Sequence, residues 1–268
     1  MFKHFIITRY NIRIPGWEKK NNNPALNKDW LDHRFLLFKN YCLPSIIHQT
    51  NQNFEWLICL DVNTDESYIS GLQQELYAYP HYKIILVDGY SRFVDTVHNH
   101  IRLSASKDEF IISTRLDNDD ALHKDFIQTI QNNFKHQNKC IVDFPKGICM
   151  EVEPQVKLSH RNMKYNAFLS LIEKRENFQT IMYYFQHHKW KKSGAEYLSI
   201  KNGRYWLQTV HARNVLNTFK GQFASNNIVL LENFGISLPQ NYHTFSFFEK
   251  TAYFFKTILS KIKQRITF

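Results

Sequence analysis

Short apolar runs alternate with longer amphipathic stretches through the first half of the chain. Phe2–Thr8, Phe54–Leu60, Tyr82–Val87 and Phe110–Leu116 have the length and apolar character of buried strands. Helical patterns lie between them. Trp30 to about His48 carries Leu31, Phe35, Phe38, Cys42 and Ile46 at helical spacing, with Pro44 placed to kink or shorten the helix. Glu66–Tyr79 puts Ile69, Leu72 and Leu76 on one face, and Phe93–Ser104 reads as a further helix. Ala121–Phe134 aligns Phe126, Ile127, Ile130 and Phe134 in one helical stripe. Residues 11–28 are polar, contain Pro15, Gly16 and Pro24, and predict a long loop. Strands alternating with helices at this spacing predict an α/β fold with a largely parallel sheet. After about residue 140 the pattern loosens. Cys140–Phe144, Glu151–Leu158, Thr180–Phe185 and Tyr205–Val210 are expected to add mixed or antiparallel strands.

Composition bounds the reading without deciding it. The 268 residues suffice for one large domain or two small ones, and 43% hydrophobic content allows a substantial core. Only 8 Gly and 7 Pro argue against linkers and low complexity. The net charge of +10 favours anionic partners: nucleic acid, acidic lipid or phosphorylated ligands. Cys42, Cys59, Cys140 and Cys149 form no C-x-x-C pair and are expected as buried free thiols in a reducing compartment. The apolar start, Met1 to Ile7, is short for a signal peptide, and no run approaches the roughly 18 apolar residues of a spanning helix. A cytoplasmic location is expected.

The densest candidate chemistry follows the fourth apolar run, in Thr114-Arg115-Leu116-Asp117-Asn118-Asp119-Asp120. Three carboxylates within four residues repel one another unless water, donors or a metal ion offset the repulsion. At the C-terminal end of a sheet strand they would sit where open α/β sheets bind ligands. Asp117 and Asp119, at i and i+2, can serve one divalent ion bridging a diphosphate, and Arg115 can add a fixed positive charge. The competing reading is that Asp119 or Asp120 caps the following helix. An EF-hand is disfavoured because Leu122 stands where that loop needs Gly. No G-x-G-x-x-G, P-loop, H-E-x-x-H or G-x-S-x-G motif is present.

Several segments, in order, resemble the GT-A glycosyltransferases, and within them the bacterial group labelled rhamnosyltransferases. They are Phe5-Ile6-Ile7-Thr8-Arg9-Tyr10-Asn11, Trp30-Leu31-Asp32-His33-Arg34-Phe35, Leu43-Pro44-Ser45 with Gln49-Thr50, and Asn53-Phe54-Glu55-Trp56-Leu57. Thr114 to Ala121 and Trp206-Leu207-Gln208-Thr209-Val210-His211 complete the set. The resemblance implies a Rossmann-like, mostly parallel sheet with additional mixed strands and helices. It implies a catalytic domain, and since the pattern shows no boundary before about residue 215, that domain is expected over residues 1–215 with an extension, 216–246, packed on it. It further implies a nucleotide-sugar donor (UDP-, dTDP- or GDP-sugar), a divalent ion (Mn²⁺ or Mg²⁺), and transfer, inverting in mechanism, to a glycan or lipid-linked acceptor of capsule or lipopolysaccharide.

Site roles follow by position. Thr8, Arg9 and Tyr10 would hold the nucleotide, Asp61 would contact base or ribose, and Arg115 and Asp117 would complete the donor site. Asp119 would ligate the metal, with His211 as partner. Of the candidate bases Glu173, Glu176 and Glu196, Glu173 is the expected one, against the reading of a solvated charge in Glu173-Lys174-Arg175-Glu176. His187 and His188 read equally as acceptor or phosphate ligands and as a surface pair.

The segment 247–268 differs in character. Phe248, Ala252, Phe255, Leu259, Ile262 and Ile266 repeat at spacings of four and three among five cations and the single acid Glu249. This is a basic amphipathic helix, suited either to an anionic inner-membrane surface or to packing on the domain or a second copy. Two other function classes stay open: a catalytically inactive GT-A-like glycan- or membrane-binding module, and nucleic-acid binding. The latter lacks any recognised motif, so no specific nucleic acid is expected.

Overall fold

The computed structural model describes residues 1–16, 26–214, 217–224, 228–237, 242–243, 245–246, 248–249 and 251–253. The predicted 247–268 helix therefore lies largely outside the described residues. A seven-stranded sheet forms the centre. Its members are β1 (Phe2–Arg9), β2 (Glu55–Asp61), β3 (Tyr82–Val87), β4 (Phe110–Asp117), β6 (Cys140–Asp143), β9 (Ser170–Lys174) and β10 (Glu196–Ser199). The strand order is β3-β2-β1-β4-β9-β6-β10. Only β9 runs against its neighbours. This is the mostly parallel α/β sheet that the resemblance implies.

Burial on both faces explains why β1, β2 and β4 are apolar without strict alternation, whereas the edge strand β3 is half-exposed. Phe5, Ile7, Leu57 and Cys59 join Phe93, Val97 and Ile101 in the core on one face. Ile6, Trp56, Ile58 and Leu60 join Leu31, Phe38, Leu72 and Leu76 on the other. The period of two sends alternate residues to opposite layers. The helices before β6 are α1 (Lys28–Leu37), α2 (Leu43–Ile47), α3 (Glu66–Leu76), α4 (Gly89–Ser104) and α5 (Phe126–Asn132). A π-helical turn, Phe38–Cys42, joins α1 to α2. Pro44 has no N–H to offer the preceding turn, and the widened ladder before it lets the helix continue where a kink was expected.

A second sheet, ordered β12-β8-β7-β11-β5, leans on the first. It comprises β5 (Ala121–Leu122), β7 (Lys146–Glu151), β8 (Lys157–Asn162), β11 (Trp206–Val210) and β12 (Gln222–Phe223). Gly147 is required here: a Cβ would lie 2.0 Å from the Trp206 ring. Leu231, Phe234 and Ile236 cover this sheet together with Leu37 and Tyr41.

Three expectations change. The helix expected from Ala121 begins at Phe126, because Ala121 and Leu122 pair with Leu207 and Trp206. The strand expected over 151–158 is instead broken by the turn of a hairpin, with Glu151 ending β7 and Lys157 opening β8. Thr180–Phe185 is a 3₁₀ turn at Ile181–Tyr183, entered through Thr180 at φ +69°.

Candidate active site

Parallel strands bring their C-terminal ends to one edge of the sheet, the usual ligand edge of open α/β folds. β1 ends at Arg9, β2 at Asp61 and β4 at Asp117, and the register sets Arg9 directly beside Asp117. A cavity of about 470 Å³ opens at this edge. Arg9, Arg13, Arg34, Arg115 and Arg213 line it, against Asp117 and Asp119. Cations outnumber acids, so the cavity favours an anion.

The acidic turn is built from three separate attachments. The Asp120 N–H donates to the Asp117 carbonyl at 3.2 Å, closing the turn. Asn118 Nδ2 donates to the Tyr10 carbonyl at 3.2 Å, tying the turn to the end of β1. Thr209 of β11 donates its N–H to Asp120 Oδ1 at 2.8 Å and its hydroxyl to the Asp119 carbonyl at 2.9 Å. Asp120 therefore pins the second sheet and caps no helix. Burial, then the charges of Asp119 and Asp117, push its carboxyl well above the usual range.

Asp119 behaves in the opposite way. Its Oδ2 pairs with Arg34 Nη1 and lies 3.1 Å from His211 Nε2. Burial favours the neutral form, but the Arg34 charge and the His211 contact outweigh it and hold this carboxyl well below its ordinary value. His211 is fixed by its own N–H, which donates to Asn214 Oδ1 at 2.7 Å, and by edge contact with the His33 ring at 4.9 Å.

The donor chemistry of Asp119 and His211 fits a divalent ion. The 3.1 Å between Oδ2 and Nε2 is a hydrogen-bond distance, and Nε2 also lies 3.0 Å from Asn214 Nδ2. Carboxylate oxygen and imidazole nitrogen both suit Mn²⁺, leaving positions for phosphate and water. Arg34 competes for the same oxygen. Among the described residues no cluster of three or more His, Cys, Asp or Glu ligands forms, so such an ion would rely on the bound ligand for further donors.

The other expected residues divide. Arg9 lines the cavity, its guanidinium 5.1 Å from the Phe185 ring and 6.0 Å from that of Tyr90. Arg115 holds the cavity wall through the Phe185 carbonyl at 3.1 Å and faces Asp117 at 3.4 Å. Tyr10 borders the cavity, but its ring is buried edge-on against Phe38. Thr8 is corrected outright. It is fully buried away from the cavity, and its hydroxyl accepts the Trp56 indole N–H at 2.9 Å. Asp61 is also fully buried. Its carboxylate accepts the Arg13 Nε–H at 2.8 Å and the Asn63 N–H at 3.1 Å, so it acts on the cavity through Arg13.

Glu173 is corrected by position. On β9 it pairs with Ile111, six residues before Asp117 on the neighbouring strand, which is about 20 Å at strand rise. Its carboxylate accepts the N–H groups of Gln179 and Thr180, fastening the loop that follows. Neither an exposed helix nor a catalytic base describes it.

Three cavity arginines, at 13, 34 and 213, carried no assigned role in the sequence. Arg34 left a trace: it stands three after Leu31 and four before Phe38, a charge on the buried stripe of α1. A cation at such a position demands a buried counter-charge. Arg13 and Arg213 sit in loops and left none.

Comparison with known proteins adds a family. The model for a family described as "Putative rhamnosyl transferase" matches residues 8–222. No curated protein matches the sequence significantly. Among solved structures, S. aureus TarS 1–349 aligns with TM-score 0.44 and 12% identity over 77% of this chain and 60% of that one. A "putative nucleotide-diphospho-sugar transferase" from Desulfovibrio desulfuricans G20 aligns with TM-score 0.39 and 9% identity over 78% and 82%. The chain thus spans about three fifths of the TarS fragment. With four fifths of its length inside the family match, the chain belongs to the rhamnosyl transferase family so described.

Proposed function

We propose that the chain is a metal-dependent, inverting glycosyltransferase that uses a nucleotide-sugar donor. One observation carries this reading: Asp117 and Asp119, at the end of β4, share a cavity with five arginines. Arg9, Arg115 and Arg13 face the phosphates of a UDP-, dTDP- or GDP-sugar, with fixed forks suited to phosphate oxygens. Tyr10 supports that wall through its backbone, and Asp61 supports it through Arg13. Asp117 takes the ribose or a water. Asp119 and His211 would hold Mn²⁺ or Mg²⁺, and such an ion would supply charge neutralisation for a diphosphate leaving group. Arg34 keeps the Asp119 carboxylate ionised and oriented.

The acceptor in this reading is a glycan or lipid-linked sugar of a capsule or lipopolysaccharide, and residues 247–268 supply contact with an anionic inner membrane. No described helix is long and apolar enough to cross a membrane. The test is a calorimetric panel of UDP, dTDP and GDP with and without Mn²⁺. Metal-dependent binding of one nucleotide that is lost in Asp119→Asn is the expected result. Absence of binding at millimolar nucleotide would remove the donor site.

A further inference from the structure

The donor end of the cavity holds both of its lining carboxylates. Asp119 is neutralised by Arg34 and His211, and Asp117 faces Arg115. With Glu173 distant, no other described carboxylate lines the cavity, and residues 185–188 line it beside Arg115, whose Nη1 donates to the Phe185 carbonyl. A histidine stands there instead.

His187 lines the cavity half-buried, and its Nδ1 lies 2.5 Å from the Tyr165 carbonyl oxygen. A carbonyl can only accept, so Nδ1 carries the hydrogen. In the neutral ring the lone pair then belongs to Nε2, for which there is no hydrogen-bond partner among the described residues. The carbonyl that sets this tautomer is itself held. Tyr165 adopts φ +51°, uncommon for a non-glycine residue, and its N–H donates to Asp143 Oδ2 at 2.7 Å. Asp143 is fully buried and also accepts the Tyr197 hydroxyl at 2.6 Å and Asn166 Nδ2 at 2.7 Å. The Tyr165 and Tyr197 rings stack at 4.7 Å. A strained corner is thus locked on one side and aims its carbonyl at a cavity histidine on the other.

We propose that His187 is the general base of the transfer, an assignment that rests on the donor reading above. Nε2 removes the proton of the acceptor hydroxyl as that oxygen bonds to the anomeric carbon. The bond from carbon to phosphate oxygen breaks, and its electron pair leaves with the nucleoside diphosphate. Burial, first, and the charges of Arg115 and His188 lower the ring's pKa, while the Tyr165 bond and the Asp117 charge raise it. A neutral imidazole with a free ring nitrogen accepts a proton in this role.

The test has two arms. In the whole protein labelled with ¹⁵N, long-range NMR correlations, assigned by comparison with His187→Asn, report the tautomer without any substrate. The expected result is a neutral ring protonated at Nδ1; protonation at Nε2 overturns the proposal. In the second arm, transfer or donor hydrolysis is followed in H187A and H187N, the latter retaining an N–H for Tyr165. Each variant should lose about 100-fold or more in kcat, with Kd for UDP, dTDP or GDP plus Mn²⁺ unchanged. The acidic limb of the pH profile should vanish, and added imidazole should restore part of the H187A rate. Nucleotide binding with kcat retained sinks the base alone. Weakened nucleotide binding with kcat retained would make His187 a phosphate anchor. Absence of nucleotide binding by the wild type removes the donor reading and this proposal with it.

Discussion

Asp119 and Glu173 are equally buried, each 4% exposed, yet their carboxyl groups are shifted in opposite directions. Asp119 stands at the cavity edge of the sheet among full charges, and Arg34 and His211 keep it ionised. Glu173 lies farther back on β9. It meets two backbone N–H groups, and burial pushes its carboxyl up to about 7. Backbone dipoles offset only part of the desolvation that a guanidinium cancels. The difference separates a carboxylate placed to bind a cation from one that fastens a loop.

The strongest way to break this contrast is Asp119→Asn. It leaves Arg34 and His211 facing an uncharged amide, a loss of about 3 kcal/mol in urea unfolding. Transfer should fall about 10³-fold. Full transfer in the presence of EDTA would overturn the assignment of Asp119 to a metal.

Arg34→Met tests the same pair from its other side. The carboxylate keeps His211 but loses its permanent counter-ion, so the expected cost is smaller, about 2 kcal/mol. Mn²⁺-dependent nucleotide affinity should change by about tenfold. If the Asp119 oxygen is chiefly a partner for Arg34, metal affinity will rise in this variant; if Arg34 orients it for the ion, affinity will fall, as proposed here.

Glu173→Gln sharpens the other half. A carboxyl raised from 4.5 to about 7 contributes stability that is fully present below pH about 4.5 and is lost as pH rises through about 7. That shift corresponds to about 3 kcal/mol. Wild type should therefore lose about 2–3 kcal/mol relative to Glu173→Gln between pH 5 and pH 8, read by urea titrations at each pH. Transfer should change less than twofold. A large fall in kcat with the fold intact would return Glu173 to the catalytic site.

These two carboxylates also mark what the sequence makes legible. β1, β2, β4 and the acidic turn were readable because apolar runs buried on both faces leave a local signature, and β4 runs straight into Asp117. β5 was not, because its two residues pair with Trp206 and Leu207, more than 80 positions away, while the apolar spacing of 121–134 mimics a helix. Glu173 was misplaced for a related reason. Its charged neighbours hid a strand whose burial depends on β4 and β6. His211 was reached through the resemblance, since no local pattern sets it beside Asp119 across 92 residues.

Thr8→Val gives the smallest effect and tests whether a strand end is by itself a site. Thr8 directly precedes Arg9, yet its hydroxyl serves only as a buried acceptor for the Trp56 indole. Valine keeps the shape and leaves that N–H unpaired, a cost of about 1–2 kcal/mol in thermal or urea unfolding. Nucleotide affinity should stay within about twofold, since the cavity is lined by Arg9 on the opposite side of the alternating strand. A tenfold loss of nucleotide binding without loss of stability would show that Thr8 reaches the ligand, and position along β1 would then outweigh the direction of the side chain.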